Sequence, residues 1–297
     1  MLWIAIPPAQ DRKNRMIKLV NNYTKEIIKK LGDSVDTLIL VGSFSRGEEA
    51  EGLSDIEFWA VVKDLSKTEK PKINNNVSLG FTTRKHLKKL KPYIYTLEVK
   101  KFGKVIFGDA DILSLIPNYS YEDIRPIDGF ILLNNRIVEQ LILLNKIQSG
   151  QEVNQYEFDK GYIQLVNSLL VINRQYESLY PEKLKVFRKI YKGKDVGLLN
   201  KAEEAFASIN HLQDAIASAP MVPHNDVNPE EALKKWLELR EYFRATWLEE
   251  KQLFCRLISK PLRFWVYYRA SKLYFSDKHQ NRTKRDNVIK NWEKFVK

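Results

Sequence analysis

The chain has 297 residues, a formal net charge of +12, 44% hydrophobic residues, one cysteine and four histidines. That length carries two domains with a substantial core. Cys255 alone excludes an internal disulfide and a cysteine–zinc cluster, and His86, His211, His224 and His279 are scattered without ligand spacing. No apolar stretch is long enough to cross a bilayer, and the opening Met1 to Pro8 is too short and too soon broken for a secretory signal, so a cytoplasmic setting is expected.

From Asp11 to Leu31 the apolar positions Met16, Val20, Tyr23, Ile27 and Leu31 recur at helical spacing, and Gly32 offers a stop. The run Thr37 to Val41 has strand composition and ends abruptly at Gly42-Ser43, where small residues let backbone N–H groups and a hydroxyl approach an anion. A second apolar run, Ile56 to Val62, follows, with Asp55 and Glu57 two apart at its beginning. On a strand such side chains share a face, so the two carboxylates suit one hard cation such as Mg²⁺. The alternative, a solvated acidic face, fits poorly beside a run that reads as buried on both sides.

Thr83 to Leu90 reads as a helix and Tyr93 to Lys100 as a strand, with Tyr93, Tyr95, Leu97 and Val99 on one face and Glu98 on the other. Glu98 is then a third carboxylate, or a partner for Lys100 or Lys101. Phe102 to Asp109 suggests one more short strand. Beyond Pro126 helical patterns take over: Ile127 to Gln148, Gln155 to Tyr180, Glu182 to Lys192 and Lys201 to Ala217. After a linker from Ser218 to Val227, Asn228 caps a helix opened by Pro229, Glu230 and Glu231, with room to run to Ser259 before Pro261. From Arg256 onward twelve basic residues face only Asp277, Asp286 and Glu293, interleaved with Phe264, Trp265, Tyr267, Tyr268, Tyr274 and Phe275. That mixture suits phosphates and bases, an acidic membrane surface, or an amphipathic helix with its aromatics in the core.

The ordered combination Gly42-Ser43-x-x-Arg46-Gly47, a spacer, then Ser54-Asp55-Ile56-Glu57 resembles the signature of the DNA polymerase β-type nucleotidyltransferase superfamily, in its minimal and kanamycin-nucleotidyltransferase-like branch. The resemblance implies an α+β chain: a small mixed-sheet catalytic domain over 1–120, then an all-α helical domain over 121–297 with a basic C-terminal region. It implies Mg²⁺, or Mn²⁺, on Asp55, Glu57 and Glu98, the last doubling as general base. An NTP, ATP foremost, is expected on Gly42, Ser43, Arg46 and Ser54; Arg46 has an equal claim as a partner of Glu48 or Glu49. The implied reaction moves a nucleoside monophosphate to a hydroxyl acceptor, and the basic balance favours a phosphorylated or polyanionic one. An RNA-directed terminal transferase, using the basic C-terminal region, and a non-catalytic nucleotide-binding or antitoxin-like module are the alternatives.

Overall fold

A computed structural model describes residues 9–48, 55–74, 76–191, 196–218, 227–251 and 261–296; Ser54, His224, Cys255 and most of the linker lie outside them. The chain forms two compact units, Met1–Asp123 with Asn210–Val222, and Ile124–Ile209 with Pro223–Lys297. The class is α+β, a mixed four-stranded sheet with helices followed by a largely helical region.

In the first unit, helix α1 (Ala9–Leu31) leads into β1 (Val35–Val41), the short helix α2 (Gly42–Arg46) and β2 (Ile56–Val62). Then come β3 (Val77–Thr82), α3 (Arg84–Leu87), α4 (Ile94–Phe102) and β4 (Lys104–Phe107). The sheet order is β3-β2-β1-β4, with β1 antiparallel to both β2 and β4 and β2 parallel to β3. Because strand side chains alternate, the unbroken apolar runs of β1 and β2 fill two cores at once. Leu38, Leu40, Phe58 and Ala60 pack with Ile27 and Leu31 of α1, while Ile39, Val41, Trp59 and Val61 pack with Leu87 of α3 and Val99 of α4.

In this unit two elements differ in kind from the sequence reading. Tyr93 to Lys100, read as a strand, is the helix α4. Its β-branched and aromatic residues gave an alternating signal, but Thr96, Leu97 and Val99 bury at helical spacing, Lys100 donates from Nζ to the carbonyls of Leu113 and Ile116, each at 2.8 Å, and Gly103 N–H closes the helix on Val99 O. Tertiary contacts override local β-preference here. The strand β3 was not foreseen, because Gly80 interrupts its pattern. A Cβ on Gly80 would stand 2.9 Å from Trp59 Cδ1, so the glycine is what lets the indole lie against the neighbouring strand.

In the second unit α5 (Pro126–Gln148) packs against α6 (Gln155–Ile172), α9 (Pro229–Glu250), α10 (Pro261–Tyr274) and α11 (Arg282–Val296). Helices α7 (Tyr180–Tyr191) and α8 (Val196–Ser218) lie between α6 and α9 in sequence. Helix α6 stops at Ile172 rather than running to Tyr180, because Arg174 takes a left-handed conformation with φ of 56°. Asn228 caps α9 as expected, its Oδ1 accepting from Glu231 N–H at 2.9 Å, and Pro261 opens α10. No helix among the described residues is long and apolar enough to cross a membrane.

Candidate active site

The end of β1 and the beginning of β2 meet at one edge of the sheet, where Val41 pairs with Glu57. At that edge the chain turns from strand to helix in a single residue: Gly42 adopts φ of 71°, a conformation side chains resist. A second constraint falls on the same position, since a Cβ on Gly42 would collide with Glu57 Oε2. The glycine therefore serves both the backbone turn and the packing of the carboxylate against it. Ser43 follows, partly exposed, and Ser45 Oγ donates to Gly42 O at 2.8 Å to tie the short helix together. Gly47, at φ of 75°, ends α2.

Asp55 lies exposed just ahead of β2, two residues before the half-buried Glu57. Arg46, whose side chain is only 10% exposed, donates from Nε to Glu48 Oε2 at 2.7 Å and from Nη1 to Glu98 Oε2 at 3.0 Å. The pairing with Glu48 was one of the two roles foreseen for this arginine; the bridge to Glu98 was not. It ties α2 to α4, and Glu98 projects from a helix instead of a strand.

The helical conformation of α4 also brings forward a residue that the strand pattern had turned away. Tyr95 and Glu98 are three apart and so lie on one side of the helix, whereas alternation separates them. The Tyr95 ring meets Trp59 edge-on at 5.2 Å between centroids. Its phenol is raised above the ordinary tyrosine range by burial first and then by the charges of Glu57 and Glu98. The side chain keeps 43% exposure, so water tempers that rise. At neutral pH the group is a protonated donor beside two carboxylates.

A later strand does run beside β2, but the residue that it places in register with Glu57 is Ser78, a hydroxyl. Among the described residues no three His, Cys, Asp or Glu side chains converge closely enough to hold a metal ion. The donors present still suit a magnesium ion, which needs only one or two carboxylates when phosphate oxygens and water complete its shell. Asp55 and Glu57 are the carboxylates at this edge that could hold one, and in this arrangement Glu98 is engaged by Arg46.

No protein-family model and no curated protein matches the chain. Among solved structures it is similar to spectinomycin adenyltransferase AAD(9) from Enterococcus faecialis, determined with ATP and spectinomycin, over 78% of this chain and 99% of that one. The identity is 14% and the TM-score 0.41, a likeness too loose to carry chemistry from one protein to the other.

Proposed function

We propose that the sheet unit is a nucleotidyltransferase that moves a nucleoside monophosphate from an NTP to a hydroxyl acceptor. What carries the reading is one juxtaposition: the Gly42 turn lies directly against Glu57, with Asp55 two residues earlier in the chain. The acceptor oxygen bonds to the α-phosphorus while the bond to the bridging oxygen breaks and pyrophosphate leaves. Asp55 and Glu57 would hold Mg²⁺ or Mn²⁺, which when bound offsets the negative charge of the triphosphate. Ser43 and the backbone of the turn would orient the β- and γ-phosphates, together with Ser54 from the preceding segment.

Arg46 and Glu98 would act as a coupled pair. Arg46 exchanges its Glu98 contact for a phosphate oxygen, a charge-assisted contact of equal kind. Glu98, released, takes the proton of the acceptor hydroxyl. Tyr95, protonated beside both carboxylates, would donate a hydrogen bond that keeps Glu57 and Glu98 apart.

The test incubates the protein with each α-labelled NTP, Mg²⁺ and separated cellular pools of small molecules, RNA and protein. Label from ATP in the small-molecule pool is the expected outcome; label in RNA would replace this reading with a terminal transferase. A second reading, nucleotide binding without transfer, is favoured by Ser78 standing in register with Glu57 and by the Arg46–Glu98 pair. Saturable nucleotide binding with no label in any pool would establish it.

A further inference from the structure

Helices α10 and α11 enclose a groove of 560 Å³. Its floor is apolar: Val266, Leu273 and Val288 are 5%, 6% and 7% exposed. Its rim is cationic, formed by Arg269 and Lys272 of α10 and Lys284 of α11, all exposed. No acidic residue lines it, and none of these three cations forms an ion pair among the described residues. Trp265, four residues before Arg269 on the same side of α10, is 54% exposed at the groove, and Asn287 and Asn291 place amide groups along the facing side of α11.

We propose that this groove binds a segment of single-stranded nucleic acid, with a base stacked on Trp265 and the flanking phosphates held by Arg269, Lys272 and Lys284. Each component matches one part of such a ligand: the indole face a base, the apolar floor its ring, the Asn287 amide, to which Asn291 Nδ2 donates at 2.9 Å, its polar edge, and the ammonium and guanidinium groups the backbone. An anionic membrane shares the charge preference but not the shape. Membrane-surface helices sink an apolar face into the bilayer, whereas here the aliphatic residues lie at the bottom of a hollow that a ligand must enter. The sequence had offered the whole basic region as a candidate; the structure narrows it. Arg285, within that region, is fully buried and donates to Asn145 Oδ1 and Gln148 Oε1, each at 2.5 Å, and to His279 O, so it contacts no phosphate.

The inference stands apart from the transfer chemistry and is tested by binding alone. Fluorescence anisotropy would follow a labelled twelve-nucleotide single strand on the full-length protein across a potassium chloride series. Its competitors are inorganic polyphosphate of equal charge, the corresponding duplex, and vesicles of phosphatidylcholine with phosphatidylglycerol. The single strand should bind in preference to all three. Trp265→Ala should weaken it about tenfold, the scale of one lost base stack, with Trp265→Phe retaining most of the affinity. Lys272→Ala with Lys284→Ala should flatten the slope of log affinity against log salt by about 1.4, or roughly 0.7 for each phosphate released. These residues are exposed, so thermal melts should coincide with wild type; should Trp265→Ala melt early, the lysine pair and Trp265→Phe still decide. Polyphosphate competing as well as the oligonucleotide, vesicle binding in its place, or an unchanged salt slope would each overturn the proposal.

Discussion

Arg46 and Arg285 are both withdrawn from water in this protein, and they are held in opposite ways. Arg46, in the sheet unit, has a carboxylate on either side, Glu48 and Glu98. Arg285, in the helical unit, is more deeply buried yet its hydrogen bonds go to neutral oxygens, the amides of Asn145 and Gln148 and the carbonyl of His279. Burial lowers its pKa below the ordinary arginine value, and the charge of Asp286 offsets part of that. A cation paired with carboxylates can exchange one anion for another at modest cost, because the contacts are alike in kind. A cation surrounded by dipoles has no such alternative, since leaving strands several acceptors at once. The first arrangement suits a site that changes partners; the second suits a fixed joint between helices.

The largest expected effect tests the fixed joint. Arg285→Ala takes the donor from the buried His279 carbonyl, the half-buried Asn145 and the exposed Gln148, and empties the space of a fully buried side chain, so it should lower stability by about 3 kcal/mol. Urea unfolding measures it. Replacing the exposed Arg282 and Lys284 by glutamate should change stability by no more than about 0.5 kcal/mol. Equal effects from buried and exposed cations would erase the distinction between them.

Next in size is the sheet edge. Asp55→Ala or Glu57→Gln should reduce transfer by about a hundredfold or more while circular dichroism stays unchanged, because the acids serve charge and not packing. Gly42→Ala should abolish nucleotide binding, as the new methyl strains the turn and displaces Glu57. Isothermal titration with a non-hydrolysable NTP would read this, and wild-type affinity in that variant would make the turn purely structural. Arg46→Ala should cost less, about 1–2 kcal/mol of stability, since Glu48 and Glu98 are 10% and 17% exposed and water partly replaces the lost partner.

These contrasts bear on what the sequence alone could reveal. The sheet edge was legible because it is local: Gly42, Ser43, Asp55 and Glu57 are fixed by a turn and two apolar runs, and a one-residue turn leaves little freedom. The helices from Pro126 onward were legible for the same reason, through periodicity and caps such as Asn228. Glu98 and Tyr95 were misplaced relative to each other because Tyr93 to Lys100 has side chains that suit either periodicity, and the tertiary contacts, Lys100 reaching the carbonyls of Leu113 and Ile116 among them, settle which holds. Strand β3 was missed because Gly80 looks like a breaker until Trp59 is seen lying against it. Arg285 looked like any other basic residue in a basic tail. Its partners Asn145 and Gln148 lie on a helix far away in sequence, and no local pattern announces them.

The smallest effects concern the buried phenols of the helical unit, whose hydroxyls, like Arg285, are withdrawn from water. Burial raises the Tyr162, Tyr267 and Tyr274 hydroxyls above the ordinary tyrosine value. The protonated form is thus favoured in the folded state, and stability should be full below the unfolded tyrosine pKa of about 10 and decline as pH rises beyond it. Thermal melts between neutral and strongly alkaline pH would reveal the onset. Substitution should separate two of these residues. Tyr267 donates to Asn135 Oδ1 at 2.7 Å, so Tyr267→Phe should cost about 1 kcal/mol. Tyr274 is fully buried with its hydroxyl unpartnered among the described residues, so Tyr274→Phe should be neutral or stabilising by up to about 1 kcal/mol. Because Tyr274→Phe also removes one titrating phenol, its melting temperature should fall less steeply above the tyrosine range. A steeper fall, or a clear loss of stability at neutral pH, would mean that this hydroxyl has a partner on which the packing of α10 depends.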